Sequence, residues 1–413
     1  GATLDVDSRP GGGTVAFACS GMITLTNTIV IAVDTVIDGD GQDVTISGND
    51  TVQLFAVDEG VTFSVNELTL ANGSAYLGGA IFVAAAATLT IGNSTFVGNN
   101  ATGGGGIFND RGTVTISNCA FFDNSGIQVA GGIDNRQGTL SINDSTFSGN
   151  STGNFGGAIF TWHGSLAVTN STFSDNSTVD GGGIYNYMSA LTVIGSSFVD
   201  NIASLEGGGI LNGGSLVVSG STFSNNSAMF GGGISTHRTA TISNSTFAGN
   251  RASTGGGIYG WHETIVVVNS TFAGNSATGS PISPALGGGI YTRLDRAITL
   301  QNTIVANNQQ GGNCAGAIAD GGGNLSYPDA TCPGITLNPL LGPLQDNGGP
   351  TWTMALGPGS GALDAGSDAV CAADPVANLD QRGDVRPKGA HCDIGAIEQD
   401  PYRRTWFPLG LRR

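Results

Sequence analysis

The chain has 413 residues, 69 of them glycine, and only 11% are charged. Its net charge of −17 argues against nucleic acid as a partner, because phosphate binding needs a cationic surface. No apolar run reaches the length of a membrane span.

Residues 1–77 read as β-helix coils without a helical cap. Short alternating runs such as Thr14–Phe17, Met22–Leu25, Ile29–Ile31 and Val44–Ile46 suggest half-buried strands. Asp38–Gly41 is a turn. No amphipathic helix precedes Thr14, so the first coil is expected to be open, with a backbone edge that invites another chain.

Residues 78–310 repeat one pattern. Each copy opens with glycines and an isoleucine, at Ile81, Ile107, Ile133, Ile159, Ile184, Ile210, Ile234, Ile258 and Ile290. Successive steps are 26, 26, 26, 25, 26, 24, 24 and 32 residues. A second signature, Asn-Ser-Thr-Phe-x-x-Asn, supplies Phe96, Phe122, Phe147, Phe173, Phe198, Phe223, Phe247 and Phe272. It also supplies Asn99, Asn124, Asn150, Asn176, Asn201, Asn226, Asn250 and Asn275. A fixed period in the twenties marks a solenoid. Here the content is β, which predicts an all-β, right-handed, single-stranded parallel β-helix with ~25-residue coils. The isoleucines and phenylalanines are expected to stack inward. The glycines are expected to turn tight corners at positive φ. The asparagines are expected in turns, with a left-handed backbone or a stacked amide ladder.

Residues 311–399 lose the repeat, and Gly, Pro, Asp and Cys rise. Six cysteines suggest an oxidising compartment. Cys314 and Cys332 are close enough to close one loop, and Cys371 and Cys392 another. Cys19 and Cys119 read as buried thiols. No Cys or His spacing reads as a zinc site, and no cofactor is expected. Residues 400–413 form a basic aromatic tail. Its Tyr402, Arg403, Arg404, Trp406, Phe407, Leu409 and Leu411 form a candidate assembly element opposing the acidic body.

The Gly-Gly-Ala-Ile and Phe-x-x-Asn motifs from Gly78 to about Asn308 resemble the polymorphic outer membrane protein repeat. The C-terminal part resembles the choice-of-anchor Q domain of exported bacterial proteins. The carrying residues are Asn302–Asn308, Asn313–Cys314, Asn338–Leu344, Asn347–Thr351, Ala362–Gly366, Asp380–Gly383 and Cys392–Glu398. These resemblances imply a secreted protein of the bacterial cell surface, anchored or sorted near its C-terminus, with no known catalytic activity.

Candidate sites are few. Trp162, His163, His237, Arg238, Trp261 and His262, with Arg111, Arg136 and Arg293, fall three or four residues after a repeat isoleucine. They are either surface turns or a stripe able to bind polysaccharide. Asp175, Asp180, Asp200 and Glu206 lie on neighbouring coils, but no repeated basic partner accompanies them, so no enzyme is expected. The sequons include Asn100, Asn150, Asn176 and Asn225, possible glycosylation sites. The sequence favours a structural surface protein that assembles with itself head to tail into a filament or coat. The alternatives are an adhesin or glycan-binding module, then a polysaccharide lyase or hydrolase.

Overall fold

Alternation along each strand decides the architecture. In Ile184–Ile194 the side chains of Ile184 and Asn186 are buried, while Tyr185 and Tyr187 face outward. One face of every strand must therefore be covered, and the next coil of the same chain covers it. The structure, a computed structural model, describes residues 12–280, 284–293 and 297–400. Parallel strands stack coil on coil into a β-solenoid. A 13-stranded sheet carries the phenylalanines. A larger sheet carries the isoleucines, and each coil gives it two segments, such as Ile159–Trp162 and Ser165–Thr169. A third, six-stranded sheet runs from Ser74–Leu77 to Ile202–Glu206. The stack continues past residue 310, to Leu325–Tyr327.

The interior is built from columns of like residues. Ile81, Ile107, Ile133, Ile159, Ile184, Ile210, Ile234, Ile258 and Ile290 are in register and fully buried. The phenylalanine rings lie 4.4–4.9 Å apart and within 8° of parallel. In this column the structure places Phe121 rather than Phe122. Phe96 pairs with Phe121, and Phe122 points outward, 37% exposed. Only Phe121 lies three residues before Asn124, as the signature requires.

Asn99, Asn124, Asn150, Asn176, Asn201, Asn226, Asn250 and Asn275 form the amide ladder. Each Nδ2 donates to the next Oδ1 at 2.9–3.0 Å, and the run ends on Asn308 and Asn313. Each also donates to a carbonyl of the preceding coil, as Asn150 does to Phe121. Every buried polar atom of the amide is thereby paired, which burial demands. The left-handed backbone belongs instead to the residue before each asparagine, for example Gly149, Asp175 and Asp200. The tight corner at the start of each copy follows expectation. Gly156 has φ +67, and a Cβ on Gly157 would lie 2.1 Å from the carbonyl oxygen of Gly182.

Burial rules out two of the glycosylation candidates. Asn150 and Asn176 are inaccessible ladder amides, whereas Asn100 and Asn225 are exposed. Cys119 is a buried free thiol that replaces the serine of the signature. Cys19 is free but exposed, because it lies in a bend between strands rather than on an inward position. Cys314–Cys332 and Cys371–Cys392 are disulfides.

Residues 338–400 fold back along the outside of the solenoid. Thr351 Oγ1 donates to the carbonyl of Gly220, and Thr222 Oγ1 donates to that of Trp352. Gln381 bonds Thr222 and Thr246, Ala396 N donates to Thr271, and Asn302 bonds Ser367. This region is held by a buried ionic network of Arg386, Glu398, Asp393, Arg382 and Asp380. The tail residues Tyr402, Arg403, Arg404, Trp406, Phe407, Leu409 and Leu411 lie outside the described residues.

Candidate functional site: a groove along the isoleucine sheet

The outward positions of the repeats are aligned by the inward ones. One residue after each isoleucine, the sheet carries Phe82, Phe108, Asp134, Phe160, Tyr185, Leu211, Ser235, Tyr259 and Tyr291 in register, of which Phe108, Asp134, Phe160, Leu211, Ser235 and Tyr259 are buried. Beside it, Asp110, Arg136, Trp162, Tyr187 and Gly213 form a second row. His237, Trp261 and Arg293 occupy the equivalent position three residues after their isoleucines. Across the glycine corner the third strand of each coil contributes Val129, Phe155, Asp180, Glu206, Phe230, Thr254 and Leu286.

The stripe expected from sequence therefore splits. Arg136, Trp162, His237, Trp261 and Arg293 lie in the second row. Arg111 and His163 sit one residue later, at positive φ. Arg238 and His262 directly follow His237 and Trp261 in the chain, without a positive φ. Arg111 pairs with Asp110 at 2.8 Å and is 57% exposed, so it contributes a surface turn rather than a wall.

Two aromatic clusters result. In the lower one, Phe155, Phe160 and Tyr185 meet at 5.4–6.2 Å, and Tyr187 lies 5.9 Å from Tyr185. In the upper one, Tyr259 touches Phe230, Trp261 and Tyr291 at 5.1–6.0 Å, and Arg293 lies 4.2 Å over the Trp261 ring. The coil of Ile210 separates them. It carries Leu211 and Gly213 where the preceding coil carries Tyr185 and Tyr187. The missing side chains open a cavity of about 380 Å³, lined by Tyr185, Tyr187, Leu211, His237, Arg238 and His262. It adjoins a shallower depression of about 560 Å³ over Gly213–Ser215, Arg238 and Glu263.

The same break concentrates charge. Asp180 and Glu206 are register partners on adjacent strands. Glu206 accepts from Ser235 at 2.8 Å and lies 2.6 Å from His237 Nε2. Asp180 Oδ1 is enclosed and has no hydrogen-bond partner. Burial, then the neighbouring Glu206 charge, raise the Asp180 pKa to about 6. Burial and the same carboxylates push the Tyr185 phenol well above its ordinary range. Asp175 and Asp200 lie apart, exposed at positive φ in the turn before the amide ladder. Of the four carboxylates singled out in the sequence, the fold joins two. It also supplies the basic partner, His237, which spacing along one coil does not reveal. Among the described residues no group of three or more His, Cys, Asp or Glu side chains is placed to hold a metal ion.

Two segments match the Chlamydia polymorphic membrane protein repeat. They are residues 144–161 and 170–187, so the match includes Trp162's strand up to Thr161 and ends on Tyr187. Comparisons with curated proteins and with solved structures give no match. Among the described residues no helix is long and apolar enough to cross a membrane.

Proposed function

We propose that the chain is a surface-displayed glycan-binding β-solenoid. The observation that carries this reading is the cavity at the Ile210 coil, walled by Tyr185 and Tyr187 on one side and His237 on the other, with Trp261 5.4 Å beyond His237. Two coil steps between walls span about 10 Å, and flanking rings with convergent polar groups suit a sugar laid between them. Surface display draws support from the repeat match, whose named relative is a membrane protein, and from two disulfides, which fit an oxidising compartment. Residues 311–399 serve in this reading as the attachment end, as their resemblance to choice-of-anchor domains implies. Head-to-tail assembly, the second reading, would join the exposed first coil, Gly13–Ala16 and Gly21–Thr24, to the tail of another copy, residues 401–413, which lie outside the described residues.

Affinity electrophoresis through polysaccharide gels tests the proposal. Tyr187→Ala and Trp261→Ala should each weaken retardation about tenfold, the worth of one aromatic platform. Gly213→Trp should block the cavity. Retardation unchanged in all three variants would remove this reading.

A further inference from the structure

Each coil gives the isoleucine sheet a second segment, beyond the positive-φ turn that carries Arg111 and His163. Five successive copies are Thr62–Asn66, Thr88–Gly92, Thr113–Ser117, Thr139–Asn143 and Ser165–Thr169. In every one the second and fourth residues are buried, and the first, third and fifth reach the surface. Pairing runs without a bulge from the first copy to the last, so each outward residue lies directly over its counterpart. Packing fixes the inward residues and asks nothing of the outward ones. Yet nine of the ten residues at the first and third positions are Thr or Ser, Ala167 being the other. The fifth positions hold Asn66, Gly92, Ser117, Asn143 and Thr169, so no charge projects from this face in a chain of net charge −17.

We propose that this face binds ice, its two hydroxyl rows docking on a prism plane of the crystal. The inference uses no groove residue and stands apart from the glycan reading. Spacing is its first support. The rows repeat every ~4.8 Å from coil to coil and stand ~6.7 Å apart along a strand, against oxygen spacings of about 4.5 Å and about 7.4 Å on an ice prism face. Over four coil steps the misfit along the stack reaches about 1.2 Å, less than half a water diameter. Flatness is the second support. Phe96, Phe121, Phe147 and Phe173 belong to the same coils, and their successive rings lie within 8° of parallel, where strands of an open sheet turn by ~20–25°. The rows therefore stay straight enough to meet a crystal.

The chemistry of the side chains is the third support. Ser165 Oγ donates to Thr139 Oγ1 at 3.4 Å. Among the described residues the other hydroxyls of the two rows bond no protein group and are left to water. Threonine is stiff at χ1, so its hydroxyl and methyl are held in place before binding and little entropy is lost on contact. The hydroxyls join the water lattice, and the methyls fill the spaces between waters. Other occupants fit less well. The rows offer a soluble sugar no ring to stack on, and an ionic partner no opposite charge.

The test cools a single ice crystal in a solution of the full chain and reads the gap between its freezing and melting points. The expected result is a measurable gap with faceted growth. Thr90→Tyr and Thr115→Tyr each raise a ring above the middle of the array and should abolish the gap, with the melting temperature of the protein unchanged. Tyr187→Ala, in the groove, should leave the gap intact. Fluorescently labelled wild-type chain should also coat the prism planes of an ice hemisphere, a readout independent of variant folding. A wild-type chain that gives no gap and coats no plane overturns the inference and leaves glycan binding standing. A gap that both tyrosine variants retain also overturns it. So does wild-type chain that sediments with crystalline cellulose but not with ice, which would assign the face to a polysaccharide surface.

Discussion

The inward and outward faces of one strand obey different rules. Inward, Ile184 and Asn186 sit on near copies of themselves, and Asn186 Nδ2 donates to Asn212 Oδ1 at 2.7 Å. Outward, Tyr185 and Tyr187 are followed one coil later by Leu211 and Gly213. Repetition is a packing requirement: a column of rings or amides tolerates no odd member without a void or an orphaned donor. The outward rows bear no such constraint and vary from coil to coil, with Asp134 and Ser235 interrupting the aromatic row, and the loss of rings at Leu211 and Gly213 is where the cavity occurs. In this groove, regularity marks structure and its interruption marks the candidate site.

That contrast can be broken most sharply at the phenylalanine column. Phe173→Ala should cost about 3–5 kcal/mol, because the rings above and below prevent collapse of the void. Urea unfolding would measure it, and a cost below about 1 kcal/mol would mean the column does not hold the coils. Next comes the amide ladder. Asn176→Ala strips the acceptor from Asn150 and a donor from Asn201, and should cost about 3 kcal/mol. The exposed Asn225→Ala should cost under about 1 kcal/mol on the same assay.

A smaller effect sharpens the comparison through pH. Burial raises the carboxyls of Asp134 and Asp180 from 3.8 to about 6, and that of Asp393 to about 7. These groups bind protons more tightly folded than unfolded, so stability is gained as pH falls through 7 and 6 toward 4, and lost as it rises. The melting temperature should climb by a few degrees from pH 8 to pH 5. Asp134→Asn should flatten part of that slope. The smallest expected change is at the outer face: Tyr187→Ala and Trp261→Ala should leave the melting temperature within about a degree while weakening glycan retention. A large loss of stability would show that the outer rings are structural after all.

The contrast also explains what the sequence disclosed. The solenoid, its period and its inward columns were legible because packing repeats the same residue types at the same spacing. The departures within it came from single-residue offsets: Phe121 and Phe122 are adjacent, and only the three-residue step to Asn124 separates them. A one-residue turn at positive φ likewise moved Arg111 and His163 out of the row of Arg136 and Trp162. The groove itself was poorly legible. Its key feature at Gly213 and Gly214 is an absence of side chains, and Asp180 and Glu206 meet His237 only across a corner and into a later coil. The row one residue after each isoleucine, Phe160, Tyr185 and Tyr259 among them, carried a readable aromatic signal that the stripe hid. The docking of the C-terminal region left a trace too. Gly195 and Gly220 replace the asparagine of the signature where Pro350 and Gln381 approach, but nothing local says what approaches.

That docking gives the molecule an uneven response to pulling. A solenoid drawn from its ends peels one coil at a time, since each coil is held only by its neighbours. The returning segment makes contact from Gly220 through Thr246 and Thr271 to Asn302, so it laces consecutive coils together like a splint. Under load, the unlaced coils before Gly195 yield first, and the laced part gives way as a block. The cavity at Ile210 straddles that boundary, with its Tyr185 and Tyr187 wall on the unlaced side and its His237 wall on the laced side.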